Sequence, residues 1–355
     1  MGIRAFHARN YGCLRDVHVT LGGRVHAFVG PNDSGKSTLL RGIRTVLHFA
    51  GDRFSRTEDH VFRPFAPFPA RRHKEDEAPV ESMIGCDVDR GSYHVEHTAK
   101  GLVHRAVCAQ PPELLTTPRR YTEHAWDTLQ KDRFGRTLDQ LRGARMLHLE
   151  PNALRTPSAL VPRGHKLGFS DERGHGLPGV YQAILGRGDD TFTSLRETVR
   201  ALFPTVKRIA VVPVTRADLS VEVELADGTI ARASELADGL LLGLALATLP
   251  HLDPVSALLI EEPERGLHPD RIKDVIHLLR DFAERLDMQV FLATYSPLVL
   301  DELTADEISV VTRPSIERGT VVTPLRATPH FERRSKLCSL GELWRTYGSG
   351  EREGS

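Results

Sequence analysis

Cysteine is scarce in this 355-residue sequence, and long apolar runs and an excess of either charge are missing. The cysteines form no C-x-x-C pair, so their spacing fits neither a zinc knuckle nor a disulfide framework. They are Cys13, Cys86, Cys108 and Cys338. Lys plus Arg total 47 and Asp plus Glu total 47, and the zero net charge argues against a protein that coats nucleic acid over its whole surface.

The sequence also has no apolar segment typical of a membrane span or of an export signal. The longest apolar stretch, Gly239 to Leu249, is cut by Pro250 and is shorter than the roughly 20 residues that a membrane helix needs. The opening segment MGIRAFHARN has no apolar core, so we expect no signal peptide. We therefore expect a cytoplasmic protein without a membrane partner.

Length and periodicity predict an α/β chain of about two domains, at roughly 150 residues per domain, or of one large two-lobed domain. Arg24 to Val29 reads as a buried strand and Lys36 to Phe49 as a helix. Alternating elements from Leu240 to Ala293 indicate a parallel core, and three β-like runs between Val80 and Ala109 predict a small antiparallel sheet. Further predicted elements are the strands Ile3–Ala8 and Val17–Leu21 around a turn at Asn10–Gly12, the helix Tyr121–Leu141, the strand Arg145–Leu149, the helices Tyr181–Leu185 and Phe192–Phe203, the strands Val206–Val214, Leu219–Leu225, Ile308–Arg313 and Thr320–Pro324, and a final helix.

The strongest motif is GPNDSGKS, residues 30–37, a full match to G-x-x-x-x-G-K-[ST]. Its glycines let successive backbone N–H groups point at the β- and γ-phosphates, and Lys36 reaches the same oxygens. Ser37 offers its hydroxyl to Mg²⁺, and the following helix turns its positive end toward the anion. The motif predicts a nucleotide site between a strand and a helix.

A second candidate group follows the apolar run Ala257–Ile260, which ends in the carboxylates Glu261 and Glu262. The first acidic group can hold Mg²⁺ through water, and the second can orient or deprotonate the attacking water.

Several segments resemble ABC-type AAA ATPases, the relatives of the RecF, SMC and OLD heads. Residues 260–269, IEEPERGLHP, resemble the IEEPE-x-x-LHP segment of that family. NYGCLRDVHV before the phosphate loop looks like the family's opening, and LGELW at 340–344 also fits. SELADG at 234–239 is similar to the signature motif, and ATYSP at 293–297 is similar to the switch segment.

The resemblance implies an ABC-type P-loop ATPase head with a mixed central sheet, flanking helices, a small antiparallel sheet and a helical lobe. Residues 1–150 would carry the phosphate loop and the antiparallel sheet, residues 151–240 the helical and signature lobe, and residues 241–355 the acidic strand and switch.

In that family two heads sandwich two ATP molecules, with the phosphate loop of one head facing the signature motif of the other. Carried over, Ser37 and Glu261 hold Mg²⁺, Glu262 is the catalytic base, and Lys36 and Tyr295 assist. The phosphate-binding residues would be Gly30, Pro31, Asn32, Asp33, Ser34, Gly35, Lys36, Ser37 and Thr38. The residues reaching the γ-phosphate of the partner head would be Ala237, Asp238 and Gly239.

Two departures from the family pattern predict slow hydrolysis. The signature serine is Ala237, and a lost hydrogen bond to a charged group is worth about 1.5–3 kcal/mol. The switch histidine is Tyr295, and a phenol is a poor proton carrier near neutral pH. His268 is either a substitute for that histidine or a linker residue. The glutamine that senses Mg²⁺ in the family has two candidates here, Gln110 and Glu150.

Two other sequence patterns can be interpreted either as functional sites or as ordinary structural features. His94, His97 and His104 suggest a metal, but strand positions three apart face opposite sides, which disfavours a shared ligand set. The Arg- and Phe-rich segment from Arg53 to Arg72 reads either as a solvated loop or as a contact to DNA.

The leading hypothesis is an ATPase head that forms a homodimer or higher oligomer on ATP and controls a separate effector protein, a nuclease or toxin, in DNA repair or anti-phage defence. Only 60 residues follow Tyr295, which we expect to be too few for a TOPRIM nuclease domain. The alternative is a non-hydrolysing, ATP-gated sensor or scaffold. SELADG in place of LSGGQ disfavours a transporter subunit.

Overall fold

The computed structural model describes residues 2–51, 81–89, 91–98, 101–109, 112–118, 141 and 143–348. The segment Arg53–Arg72 and the helix predicted for Tyr121–Leu141 lie outside these residues, apart from Leu141 itself. The chain divides into two compact units. The first comprises Met1–Met146, Val255–Leu259 and Asp287–Ser355, and the second Leu147–Pro254 and Ile260–Leu286.

The described residues form sixteen strands and nine α-helices. The strands are β1 Ile3–Tyr11, β2 Leu14–Thr20, β3 Val25–Val29, β4 Ser82–Val88, β5 Gly91–Thr98, β6 Gly101–Ala109, β7 Pro112–Pro118, β8 Ala144–Leu147, β9 Ser158–Ala159, β10 Val206–Pro213, β11 Asp218–Leu225, β12 Ile230–Arg232, β13 Ala257–Glu261, β14 Gln289–Thr294, β15 Ile308–Ser315 and β16 Gly319–Pro324. The helices are α1 Lys36–Gly51, α2 Pro151–Arg155, α3 Leu177–Leu185, α4 Thr191–Leu202, α5 Asp238–Thr248, α6 Pro269–Arg285, α7 Pro297–Asp301, α8 Phe331–Arg334 and α9 Leu340–Gly348.

The antiparallel sheet of the first unit has six strands in the order β2-β1-β4-β5-β6-β7. The three strands predicted between Val80 and Ala109 are present as β4, β5 and β6. The amino-terminal hairpin joins them, since β1 pairs with both β2 and β4. The predicted turn at Asn10–Gly12 was placed too early, because β1 continues to Tyr11 and Gly12 takes the left-handed φ of +58°.

A second sheet has the order β16-β15-β3-β14-β13-β8. β3 pairs in parallel with β14 and β15, whereas β15 and β16 form an antiparallel hairpin at the edge. The parallel core is present as predicted, and the edge hairpin makes the whole sheet mixed, as the family resemblance implies. Helix α1 contacts strands of both sheets. Its apolar face is fully buried in the core of the first unit and consists of Leu39, Leu40, Ile43, Val46 and Leu47.

The second unit combines a smaller antiparallel sheet with helices. β11 pairs with β10, β12 and β9. From Leu240 to Thr248 every residue of α5 is buried, as expected of a helix that is apolar on all sides. The Tyr181 hydroxyl in α3 donates a hydrogen bond of 3.0 Å to the Leu244 carbonyl, which joins the two helices.

Two predicted boundaries need correction. Helix α3 begins at Leu177, four residues before the predicted start at Tyr181, because proline at position 178 is tolerated in the first turn of a helix. Strand β8 ends at Leu147, two residues before the predicted end at Leu149. His148 therefore lies just beyond the strand.

Candidate functional site

The predicted phosphate loop connects β3 to α1. The strand ends at Val29, and the helix begins at Lys36. A Cβ added to Gly30 would lie 2.2 Å from the Val311 carbonyl oxygen, so only glycine fits there. Gly35 has a φ of +109°, in which a side chain would be strained. Both motif glycines are therefore required by the local backbone.

The positive groups of the loop point inward. Lys36 Nζ donates hydrogen bonds to the carbonyl oxygens of Gly30 at 2.7 Å and of Pro31 at 2.8 Å. Ser37 and Thr38 are partly buried in the first turn of α1, which contains no acidic residue. An amino-terminal helix end of this kind favours a bound anion such as phosphate.

Side chains from other strands support the buried side of the loop. Thr320 Oγ1 on β16 donates a hydrogen bond of 2.8 Å to the Ser34 carbonyl and lies 3.2 Å from Cys13 Sγ. Cys13 Sγ in turn lies 3.4 Å from Thr38 Oγ1. Ser34 Oγ is buried and has no hydrogen-bond partner in the described part of the chain. The loop is thus held through its backbone.

The tip of the loop is exposed and comprises Pro31, Asn32 and Asp33. Asp33 adopts a φ of +61°, and Arg313 Nη1 on β15 lies 3.2 Å from both of its carboxylate oxygens. Because the Asp33 carboxylate is almost fully exposed, this ion pair orients the tip without contributing much stability.

Tyr295 lies beside the phosphate loop in the first unit. Thr294, the last residue of β14, pairs in parallel with Val29, the last residue of β3, so Tyr295 and Gly30 follow neighbouring strand ends. The Tyr295 side chain is 53% exposed, and its carbonyl accepts a hydrogen bond of 3.2 Å from Trp344 Nε1. The phenol is therefore accessible at this sheet edge.

In the second unit, the second residue of the acidic pair has a strained backbone. Glu261 ends β13, and its side chain is only 13% exposed. Glu262 follows with a φ of +50°, a left-handed conformation that is rare for a non-glycine residue. Such strain is concentrated at functional sites, where the surrounding structure holds it in place.

His148 contacts Glu261, the first residue of this acidic pair, and was not among the residues predicted from the sequence. Its Nδ1 lies 3.3 Å from Glu261 Oε2, and its Nε2 lies 3.1 Å from Arg265 Nη1. Arg265 Nη1 also lies 4.0 Å from Glu262 Oε2. The Arg265–His148 contact spans 117 positions of sequence, so no local pattern could have revealed it.

The donor atoms are compatible with Mg²⁺. Glu261 Oε1 is buried and has no hydrogen-bond partner among the residues that the structure covers. An unpaired carboxylate oxygen is the kind of ligand that this hard cation prefers. Within the described ranges, no group of three or more His, Cys, Asp or Glu side chains is arranged to hold a metal.

The signature segment lies at the start of α5. Ala237 is the N-cap residue and has no side-chain hydrogen bond to the helix, and Asp238 begins the helix. Arg155 Nη2 donates hydrogen bonds to the Leu236 carbonyl at 2.8 Å and to Asp238 Oδ1 at 2.6 Å. Arg155 is a second residue that the sequence analysis missed, and it anchors this helix start from α2.

The start of α5 also contacts the loop before α6. A Cβ added to Gly239 would lie 3.1 Å from the Gly266 carbonyl oxygen, and Gly266 has a φ of +74°. His268 is the N-cap of α6, and its Nδ1 accepts a hydrogen bond of 3.4 Å from the Asp270 amide. The structure thus shows that His268 caps the start of α6.

The remaining candidates have separate positions. Gln110 lies outside the described residues, and Glu150 is the N-cap of α2, with its carboxylate 3.7 Å from Arg173 Nε. His94 contacts the His7 ring at 5.6 Å between centroids. The side chains of His97 and His104 are not among the described parts.

Two family models match the chain. One, described as "AAA domain, putative AbiEii toxin, Type IV TA system", matches residues 119–301, just over half of the chain. Another AAA-domain model matches residues 1–62, which include the phosphate loop. No curated protein matches the sequence. No helix among the described residues is long and apolar enough to span a membrane.

Solved structures of Smc heads show the same fold. The chain is 16% identical to an Smc head bound to the C-winged helix domain of ScpA, with a TM-score of 0.56 over 92% of this chain and 99% of that chain. It is also 16% identical to an Smc head domain with an extended coiled coil, bound to the C-terminal domain of ScpA derived from Pyrococcus furiosus. That match has a TM-score of 0.54 and covers 96% of this chain and 99% of the other. The fold is that of an Smc-like, ABC-type ATPase head.

Proposed function

We propose that this chain, which belongs to the AAA-domain family whose description includes the AbiEii toxin, binds ATP with Mg²⁺, hydrolyses it slowly, dimerises on ATP and controls a partner effector. The observation that carries the proposal is the phosphate loop itself. Gly30 and Gly35 are required by its backbone, Lys36 lies inside its curve, and an anion-binding helix end follows. This is the arrangement that a triphosphate needs.

We assign the roles in hydrolysis residue by residue. The backbone N–H groups of residues 30–38 bind the phosphates, and Lys36 exchanges its two carbonyl partners for phosphate oxygens. Ser37 and Glu261 would hold Mg²⁺, which neutralises charge that develops on the phosphates. Glu262 accepts a proton from the attacking water, and the Tyr295 phenol donates a hydrogen bond to a phosphate oxygen.

Dimerisation is proposed through the start of α5. Ala237 and Asp238 are exposed there, and Gly239 is half-buried. Backbone N–H groups at this helix end would bind the γ-phosphate held by a second head, so ATP would join the two heads. Arg155 supports the proposal by fixing the segment that would make this contact.

The effector and its context are proposed from the family description. That description names a toxin of a type IV toxin–antitoxin system, which favours anti-phage defence over DNA repair as the setting. The Smc heads that share the fold are bound to ScpA, a protein partner. We therefore propose a separate protein effector, either a nuclease or a toxin, with DNA as a further candidate partner, for a head that acts in the cytoplasm.

Two observations favour a second candidate function, a non-hydrolysing ATP-gated sensor or scaffold. Ala237 provides no hydroxyl at the helix start, and position 295 carries a phenol in place of an imidazole. Both changes would slow hydrolysis while leaving ATP binding in place.

The dimerisation proposal is tested by measuring mass in solution with and without Mg-ATP. We expect the Glu262→Gln protein to dimerise on ATP, because hydrolysis no longer removes the γ-phosphate. Lys36→Ala should neither bind ATP nor dimerise. Arg155→Ala should bind ATP as tightly as the parent protein does. Its dimer should be about tenfold weaker, because the lost hydrogen bonds to the partly exposed Asp238 and the Leu236 carbonyl are worth about 1.4 kcal/mol, which is a factor of ten in affinity.

Arg208→Ala is the matched control, because Arg208 makes an exposed ion pair of 3.1 Å with Glu224 between β10 and β11 of the same unit. A Glu262→Gln protein that binds ATP and stays monomeric at every protein concentration would contradict dimerisation. Equal dimer affinities for the Arg155→Ala and Arg208→Ala proteins would show that Arg155 does not support the dimer contact.

A further inference from the structure

His148 joins the two parts of the acidic site in the second unit. The residue follows β8, and its ring lies between Glu261 on one side and Arg265 on the other. Its side chain is 29% exposed, whereas the Glu261 side chain is 13% exposed. The His148 amide donates a separate hydrogen bond of 2.8 Å to the Glu172 carbonyl. The backbone position therefore does not depend on the imidazole.

Arg265 determines which ring nitrogen of a neutral His148 carries the proton. An arginine side chain has only donors, so the contact from Nη1 at 3.1 Å requires Nε2 to be the acceptor. The proton of the neutral imidazole is then on Nδ1, the atom that faces Glu261 Oε2. The ring thus presents a donor to one oxygen of the carboxylate.

The two facing atoms are close, although they do not form an aligned hydrogen bond. Nδ1 and Oε2 are 3.3 Å apart, yet Nδ1 is buried without a hydrogen-bond partner in the described part of the chain. Glu261 Oε1 is also buried and without one. Buried polar atoms left in this way are costly, and a small rotation of the carboxylate would pair Oε2 with Nδ1.

We propose that His148 is a positioning residue, which holds Glu261 Oε2 through Nδ1–H so that Oε1 is presented to the divalent cation. This proposal rests on the proposed function, because it assigns Glu261 to that cation. Groups that hydrogen-bond a metal-ligating carboxylate fix its orientation, and their loss typically costs 10–100-fold in metal affinity. Arg265 takes part indirectly by selecting the Nδ1–H form of the ring.

The test compares the affinity for a fluorescent, non-hydrolysable ATP analogue in Mg²⁺ and in EDTA. The ratio of the two affinities measures the contribution of the cation without any catalysis. We expect His148→Ala to lower the affinity in Mg²⁺ by about tenfold or more and to leave the affinity in EDTA unchanged. His165→Ala, which removes an exposed histidine from the same unit, should leave both affinities unchanged.

Two amide variants separate a positioning role from a packing role. The side-chain nitrogen of Asn can take the place of Nδ1, whereas that of Gln takes the place of Nε2. We therefore expect His148→Asn to restore most of the Mg²⁺ contribution and His148→Gln to resemble His148→Ala. This pair decides the question even if the alanine variant fails to fold.

Failure of the inference is distinguishable from failure of the proposed function. A wild-type protein that binds the analogue in neither buffer would overturn the nucleotide site itself. Binding by the wild type with the same Mg²⁺ contribution in the His148 variants, or an equal loss in both buffers, would overturn the role of His148 alone. Equal behaviour of the Asn and Gln variants would do the same.

Discussion

Tyr295 is the residue whose chemistry most directly limits the proposed reaction. It follows the strand position that pairs with Val29, at the start of the phosphate loop, and more than half of its side chain is exposed. A phenol there can donate a hydrogen bond, but unlike an imidazole it does not cycle a proton at neutral pH. An imidazole at the same place titrates near pH 6.5 and can do so.

We predict that Tyr295→His raises steady-state ATP turnover by about tenfold, a conservative share of what general acid–base catalysis contributes. The exposed side chain makes the exchange compatible with the fold. Tyr295→Phe, which removes only the hydroxyl, is the matched control and should not exceed the wild type. If the histidine variant turns over ATP no faster than the wild type, position 295 is not what limits the rate.

Among single residues, the sequence predicted only functional residues that stand together in a short contiguous motif. The motif residues Gly30 to Ser37 stand together, so their spacing alone identified the loop. His148 and Arg155 were missed because their partners, Arg265 and Asp238, are 117 and 83 positions away. A lone histidine or arginine after a strand carries no signal until the fold brings its partner near.

At the scale of elements, β3 carries the phosphate loop and contains a buried histidine. His26 is 2% exposed, and its Nε2 lies 3.0 Å from Ser309 Oγ on the neighbouring strand β15. Burial lowers the pKa of His26 to about 4. The strand that supports the phosphate loop is therefore sensitive to acid.

We predict that this histidine destabilises the fold as the pH falls. The unfolded chain takes up the proton near pH 6.5, whereas the folded chain does so only near pH 4, so stability is full above pH 6.5 and falls between these values. At about 1.4 kcal/mol per unit, the loss approaches about 3 kcal/mol at pH 4. Urea unfolding at pH 7, 5.5 and 4.5 should show a flatter pH dependence for His26→Gln than for the wild type.

The control for this prediction is His165→Gln, because His165 is exposed and lies in the other unit. Its unfolding should follow the wild type at every pH. A His26→Gln protein with the wild-type slope would show that another group causes any acid sensitivity.

Element identity was predictable where one strand or helix has a clear period. Helix α1 begins at Lys36 as predicted, and β3 differs from its predicted start by one residue. The pairing of β1 with β4 was not predictable, because an alternating strand does not show which other strand it will join. The β1–β2 hairpin and the strands β4 to β7 therefore form one sheet, whereas the sequence alone predicted them as two separate groups of strands.

At the scale of the whole molecule, the family and the fold were predictable, whereas the function is a proposal. The segment IEEPERGLHP and the phosphate loop together indicated an ABC-type head, and the AAA-domain model and the Smc heads confirm that fold. The chain passes from one compact unit to the other four times, near positions 146, 254, 259 and 286. Such crossings follow from tertiary contacts and leave no mark in local composition.

Hydrolysis of ATP with Glu262 as the base is the step on which the proposed function depends. The most direct test is the steady-state Mg-ATP turnover of the wild-type protein beside its Glu262→Gln variant, with ATP binding measured for both. We predict slow turnover by the wild type, at least a hundredfold loss in the variant, and equal ATP binding. Equal and negligible turnover in both proteins, with ATP still bound, would contradict hydrolysis and leave the ATP-gated sensor as the function.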